Sequence, residues 1–333
     1  MSDQAPHYLP PGYRTSFLLG TGQTAHVYMA KHDRLGVVAL KLPRPELQSD
    51  AVLRRMFENE VHITLSLQHD NIVNAVDGKP NGSGAFLALE YYPTSLQEWL
   101  NSRKHVPLKR ALKLIYGVMA GLEFSHSRNV LHRDVKPANI FLGAQGQAKL
   151  GDFGTSTYDN SSDKIGDSRV GTAYYMAPEM FQHSQASLQS DIYSLGVLSY
   201  ELLSGERPFT GSSQDAIMTA HLTSFPRSLQ HHRNDVSDAL AQVISKAMAR
   251  DPNKRYQDMR QFREDFVKAS GYDISNTRII PASPAVGRSS RHQSPPASKA
   301  PDDSSSDSDS KDNNDNSKRS GVMGWLFGNK KPQ

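Results

Sequence analysis

Five side chains able to do chemistry crowd into one short stretch, VLHRDVKPANIFL at residues 130–142. His132, Arg133, Asp134, Lys136 and Asn139 stand between two apolar ends, Val130-Leu131 and Ile140-Phe141-Leu142. The ends have the composition of short buried strands, so the polar run is expected in a structured loop on a rigid base. A plain solvated turn would instead be built from Gly, Ser or Asn. An acid, two fixed cations, an imidazole and an amide so close together point to a functional site.

Two other places invite the same question. GTGQTA at 20–25 has the spacing of a phosphate-cradling glycine loop, with Gly20, Gly22 and then Ala25 where a third glycine is usual. A dinucleotide fold needs a helix directly after the glycines, but HVYMAKH alternates as a strand. Strand, glycine loop, strand is the arrangement that covers ATP from above. The methyl group of Ala25 narrows the backbone choices there, dulling the loop's flexibility without abolishing binding. Lys41 ends the apolar run VVALKL and shares a strand face with Val37 and Ala39. If that face lines a cleft, the ammonium needs a phosphate or a carboxylate. Of the two acids on the helical stretch 51–67, Glu60 lies on the apolar stripe with Met56 and Phe57, and Glu58 does not.

The rest of the chain must position these groups. Short apolar segments punctuated by glycine (TSFLLGTG, AHVYMAKH, GVVALKLP) predict strands, residues 51–67 a helix, and AFLALEYY a further strand. From residue 95 the pattern turns helical. Ser95 and Glu98 have capping-box spacing. Pro107 opens a long stripe through Leu108, Ala111, Leu112, Ile115, Val118, Met119 and Leu122. SDIYSLGVLSYELLSG is apolar on several faces and predicts a buried central helix, followed by amphipathic helices in VSDALAQVISKAMA and YQDMRQFREDFVKA. Strands first and helices after predict an α+β protein with a cleft between two lobes.

Composition limits the function classes. The 333 residues contain 38 basic and 34 acidic side chains, a net charge of +4 that is too mixed to argue for nucleic acid. No cysteine is present, which excludes disulfides, Cys-ligated zinc and thiol catalysis. The 13 histidines show no HExxH spacing. No apolar run reaches the ~18 residues of a membrane span, and the N-terminus lacks a basic-then-apolar signal, so a soluble, cytoplasmic protein is expected. Beyond residue 270 the sequence becomes rich in Ser, Pro, Asp and Asn, too polar to offset its ordering entropy. Residues 271–320 are therefore read as a disordered linker. Residues 321–333, GVMGWLFGNKKPQ, form an apolar-basic peptide suited to docking or weak, reversible membrane-surface contact.

In this order the motifs resemble those of the eukaryotic-type (Hanks-type) serine/threonine protein kinases, above all compact bacterial members. GTGQTAHV resembles the glycine-rich loop, VALK the strand lysine, HRDVKPAN the catalytic loop, GDFG the metal-binding motif and APE at 177–179 the end of the activation segment. The resemblance spans about residues 13–270, with a small β-rich lobe to about residue 92 and a helical lobe after it; residues 1–12 are an extension. It implies an ATP- and Mg²⁺- (or Mn²⁺-) dependent enzyme that phosphorylates protein serines and threonines. Asp134 would then be the base, Lys136 would neutralise the transferred phosphoryl, and Asn139 and Asp152 would hold the metal. Lys41, paired to Glu60, would contact the α- and β-phosphates. Gly20, Thr21, Gly22, Gln23, Thr24 and Ala25 would cover the nucleotide. Val27, Ala39 and Phe141 would sandwich adenine against the backbone of Glu90 to Tyr92. His132 would pack under Phe153, Asp191 would pin the catalytic loop, and Glu179 would pair with Arg255. Arg133 before Asp134 implies control by phosphate on the activation segment, with Ser168, four residues before Thr172, the first candidate and Ser161 and Ser162 the others. Two residues depart from the pattern. Ala138 stands where kinases favouring basic substrates carry Glu, and Thr64 replaces a larger apolar residue four beyond Glu60, which would loosen that helix. Protein substrates and a transient dimer for autophosphorylation are the implied partners.

Overall fold

The computed structural model describes residues 8–102, 105–158, 173–183 and 185–272. Five strands come first: β1 (Tyr13–Thr21), β2 (Ala25–His32), β3 (Gly36–Pro43), β4 (Ala75–Lys79) and β5 (Phe86–Glu90). They form one antiparallel sheet in the order β1-β2-β3-β5-β4. Alternation sorts its side chains onto two faces. Tyr28, Val38, Leu40, Leu42 and Phe86 pack on one face, and Val27, Ala39, Leu87 and Leu89 join Phe57 and Val61 on the other.

Between β3 and β4 runs α1 (Ala51–Ser66), started by Asp50, whose carboxylate accepts from the N–H groups of Val52 and Leu53. Phe57, Glu60, Val61, Ile63 and Thr64 are its buried residues. Leu53 and Met56, toward the start of the helix, are only half-buried, whereas the stripe is buried from Phe57 onward.

The remaining elements are mainly helical. α2 (Leu96–Asn101) begins with the Ser95–Glu98 capping box, both halves of which are formed. Replacing Ser95 with Ala should lower stability by about 1 kcal/mol, read as a shifted urea midpoint at unchanged m-value. α3 (Leu108–His126) buries Ala111, Leu112, Ile115, Val118, Met119 and Leu122. Then come the short strands β6 (Val130–Leu131), β7 (Ile140–Leu142), β8 (Ala148–Leu150) and β9 (Thr157–Tyr158), pairing β6 with β9 and β7 with β8. The helices α4 (Pro178–His183), α5 (Leu188–Ser204), α6 (Gln214–Thr223), α7 (Leu229–His232), α8 (Asp238–Ala247) and α9 (Met259–Ser270) follow. α5 is the centre of this part: every residue from Ser190 to Tyr200 is buried. No helix among the described residues is long and apolar enough to cross a membrane.

Candidate active site

The polar run that interrupts β6 and β7 is held from below. Asp191, near the start of α5, accepts the backbone N–H of His132 and of Arg133, each at 2.8 Å, and meets His126 Nε2 at 2.9 Å. Burial alone would raise its pKa, but the His126 contact and these donors hold it below the usual carboxylate value. The support matters because Arg133 sits at φ 69°, a left-handed conformation that a non-glycine residue keeps only when its surroundings fix it. His132 is fully buried, donates from Nε2 to Gly151 O at 3.1 Å and packs edge-on against Phe153 at 4.8 Å. Its Nδ1 accepts the N–H of Asp134 at 3.3 Å, so the imidazole joins the loop to the Gly151–Phe153 segment.

Above that base the functional groups converge. Lys136 Nζ lies 2.6 Å from Asp134 Oδ2, and Asn139 Nδ2 donates to the same oxygen at 2.9 Å and to Asp134 O at 2.8 Å. Across the cleft, Lys41 from β3 is 3% exposed, paired to Glu60 of α1 and 2.8 Å from Asp152 Oδ1. Burial works against the lysine charge, yet the carboxylates of Asp152 and Glu60 lift its pKa above the ordinary value. Asp152 is drawn below the usual range: burial opposes its charge, and the Lys41 ammonium overcomes that cost. Glu60 moves the other way, raised by burial beyond what Lys41 offsets, with Asp152 adding to the rise. Asp152 also has a left-handed backbone, φ 62°.

Beside Lys41 and Asp152 opens a cleft with a mainly apolar lining. Val27, Ala39, Lys41, Glu90, Tyr92, Phe141 and Asp152 line it as the sequence suggested. Gly20 to Ala25 do not: the strands flanking that turn contribute Leu19 and Val27 instead. The turn is closed by Gly22 N–H donating to Ala25 O at 2.7 Å, and Arg44, the residue after β3, ties it down by donating its N–H to Thr24 O at 3.0 Å. Val37, expected beside Lys41, is 49% exposed at the start of β3, so only Ala39 accompanies the lysine into the cleft. Val73, Leu89, Tyr91, Pro93, Ser95 and Glu98 complete the lining. Apart from Tyr91, inside the run Glu90 to Tyr92, sequence reasoning missed their place there. A lone apolar residue reads as core, and Ser95 with Glu98 reads as a helix cap.

Farther off, Arg255 donates to both carboxylate oxygens of Glu179, at 2.7 and 2.8 Å, with its side chain fully buried. Thr64 is buried, and its Oγ1 donates to Glu60 O at 2.7 Å. Ala138 falls in the single turn Pro137–Asn139. Ser161, Ser162, Ser168 and Thr172 lie outside the described residues, as do residues 273–333.

A β-rich lobe over a helical one, joined beside such a cleft, is the architecture of the protein kinases. The Protein kinase domain family matches residues 13–267, and the chain belongs to it. A probable serine/threonine-protein kinase of Streptomyces coelicolor is 33% identical over 294 residues, covering 85% of this chain and 44% of that protein. Serine/threonine-protein kinase PknB of Mycolicibacterium smegmatis is 32% identical over 272 residues, covering 79% and 44%. A probable PknB of Lactococcus lactis is 30% identical over 265 residues, covering 78% and 42%. The chain thus spans under half the length of these relatives.

Proposed function

We propose that the chain is an ATP-dependent serine/threonine protein kinase, carrying the γ-phosphoryl group to protein hydroxyls. The observation that carries this reading is the bridge of Lys41 between Glu60 and Asp152, together with the Asp134–Lys136–Asn139 set, whose Lys136 is near enough for its charge to act on Asp152. Phosphoryl transfer asks a protein for positioning and charge neutralisation more than for covalent chemistry. Asp134 accepts or orients the proton of the acceptor hydroxyl, and Lys136 balances charge on the moving phosphoryl. Lys41 takes the α- and β-phosphates while Glu60 fixes its direction. Adenine lies between Val27, Ala39 and Phe141, with its edge toward the backbone of Glu90 to Tyr92. His132, Phe153, Asp191, Glu179 and Arg255 hold the frame. Gly20 to Ala25 close over the phosphates.

The donor set fits Mg²⁺ or Mn²⁺. Asn139 spends its amide N–H₂ on Asp134, which directs Oδ1 elsewhere, and Asp152 spends Oδ1 on Lys41, which leaves Oδ2 outside that bond. Two oxygen donors from the protein suit an ion that takes its other ligands from phosphates and water. Such a cation neutralises the phosphates when bound. The relatives, named as serine/threonine-protein kinases, and Lys136 two residues after Asp134 support serine and threonine as acceptors. The test is transfer of labelled phosphate from ATP to a generic protein acceptor, with and without divalent metal; transfer that survives complete chelation contradicts the reading.

Control belongs to the same proposal. Autophosphorylation is expected within residues 155–168, Ser168 first and Ser161 or Ser162 next, giving a phosphate that pairs with Arg133 and orders the segment toward Thr172. Peptide mass spectrometry of the active protein checks this, and a fully active, unmodified segment overturns it. Residues 321–333 are proposed as a tethered docking peptide on the linker 271–320, in a cytoplasmic protein that touches a membrane peripherally.

A further inference from the structure

One residue grips the turn between β1 and β2 from both sides. Ala25, the first residue of β2, pairs with Pro43 at the end of β3, so Arg44 is the next residue to face the turn. Its backbone N–H donates to Thr24 O at 3.0 Å. Its guanidinium reaches back to the β1 side, where Nη1 donates to Gly22 O at 3.3 Å. The other arm of the fork, Nη2, donates to Glu46 Oε1 at 2.9 Å. That bond holds the Glu46 carboxyl below the usual carboxylate value, so at neutral pH the fork is braced by an anion.

Glu46 belongs to the single turn Pro45–Gln48, which is itself anchored. Leu47 is buried with Leu19, Val27 and Phe57, and its N–H donates to Arg44 O at 3.1 Å. The carbonyl of Glu46 accepts from the N–H groups of Ser49 and Asp50, each at 3.2 Å. Asp50 in turn caps α1, the helix that carries Glu60. A continuous set of bonds therefore runs from Gly22 to the start of α1.

We infer that Arg44, braced by Glu46, is a strut that fixes the Gly22–Thr24 turn against the start of α1 and so sets how strongly the site holds the phosphates of its nucleotide. The inference rests on the kinase reading. Arg44 is a positioning residue: it does not line the cleft, and it acts through the carbonyls of Gly22 and Thr24. Without the guanidinium the turn keeps its strands and the backbone bond to Thr24 O, but part of the energy of phosphate binding is spent on ordering it. The adenine end, lined by Val27, Ala39 and Phe141, is built by β2, β3 and β7 and does not need the guanidinium. A cation near the phosphates would also help by charge alone, and Glu46 separates the two effects. As an anion it should weaken phosphate binding; as a brace it should strengthen it.

The experiment is calorimetry of adenosine and of MgADP on the full chain, as wild type and with Arg44→Ala, Arg44→Lys, Glu46→Ala or the double change to Ala. Arg44→Ala and Glu46→Ala should each weaken MgADP about fivefold and leave adenosine within about twofold. Arg44→Lys should behave as Arg44→Ala does, because an ammonium keeps the charge but not the fork that serves two partners. Since the two side chains act as one unit, the double variant should bind MgADP no more weakly than Arg44→Ala alone. Adenosine binding reports in the same samples that each variant is folded. The strut alone is overturned if MgADP affinity is unchanged in Arg44→Ala, rises in Glu46→Ala, is fully kept by Arg44→Lys, or falls only in step with adenosine. A wild-type chain that binds neither adenosine nor MgADP overturns the kinase reading and the strut with it.

Discussion

Asp134→Asn should lower kcat about 10²- to 10⁴-fold, the range for a positioned base, with KM for ATP nearly unchanged. The substitution keeps the shape of the side chain, so the loop beneath it has no reason to move. Its frame comes from Asp191, which holds the N–H groups of His132 and Arg133 independently of Asp134. What is lost is the charge that accepts the hydroxyl proton and faces Lys136 at 2.6 Å. The split between the two constants is the informative part. A residue that merely bound nucleotide would raise KM, whereas one that acts on the acceptor hydroxyl lowers kcat. Single-turnover kinetics with saturating ATP separates the two, and unchanged kcat would remove Asp134 from the chemistry.

Arg255→Ala should cost about 3–5 kcal/mol of stability, more than any cap or surface pair in the molecule. Its guanidinium is fully buried and also donates to the carbonyls of Ala249, Gln189 and Arg250, so truncation strips partners from four places at once. Glu179 would be left as a mostly buried carboxylate without its cation. The pair also has a pH signature. Burial alone would raise the Glu179 pKa, but the Arg255 hydrogen bonds and charge, with the Ser190 hydroxyl, bring it below the usual value. A folded-state pKa below the unfolded one means that the unfolded chain binds more protons between the two. The pair's contribution is therefore complete above the unfolded carboxylate pKa and is lost as pH falls through the folded one. Denaturant titrations from neutral to acidic pH should show that slope in the wild type, and Arg255→Ala should flatten it. Equal slopes would mean the ion pair is not what depresses Glu179.

Much of this was legible in the sequence where one residue type serves one need. β2 and β3 were readable because alternation in AHVYMAKH and GVVALKLP matches a sheet with two covered faces. Asp134, Lys136 and Asn139 were legible as a group because they are neighbours in the chain. Glu60 was found by its helical phase, three and four residues beyond Phe57 and Met56. Harder to read was anything that depends on distant segments meeting. β4 (AVDGK) has a charge and a glycine where a strand signal would need apolar alternation, and it forms because β5 supplies its partner. Pro93 reaches the cleft through the way β5 enters α2, and Val73 through the bond of its N–H to Leu150 O. Lys149 in QAKL resembles an ordinary surface lysine, and its burial follows from Glu90, fifty-nine positions away in sequence. Thr64 breaks an apolar stripe, and only the bond to Glu60 O shows how the helix accommodates it.

The central claim is that the site of Lys41, Asp152 and Asp134 moves phosphate from ATP to serine or threonine. One measurement addresses it most directly: mass-spectrometric mapping of phosphate on a generic protein acceptor after incubation with ATP and Mg²⁺, comparing wild type with Lys41→Met and Asp152→Ala. The account predicts phosphoserine and phosphothreonine from the wild type and none above background from either variant. Equal phosphorylation by all three proteins, or phosphate found only on tyrosine, would contradict it.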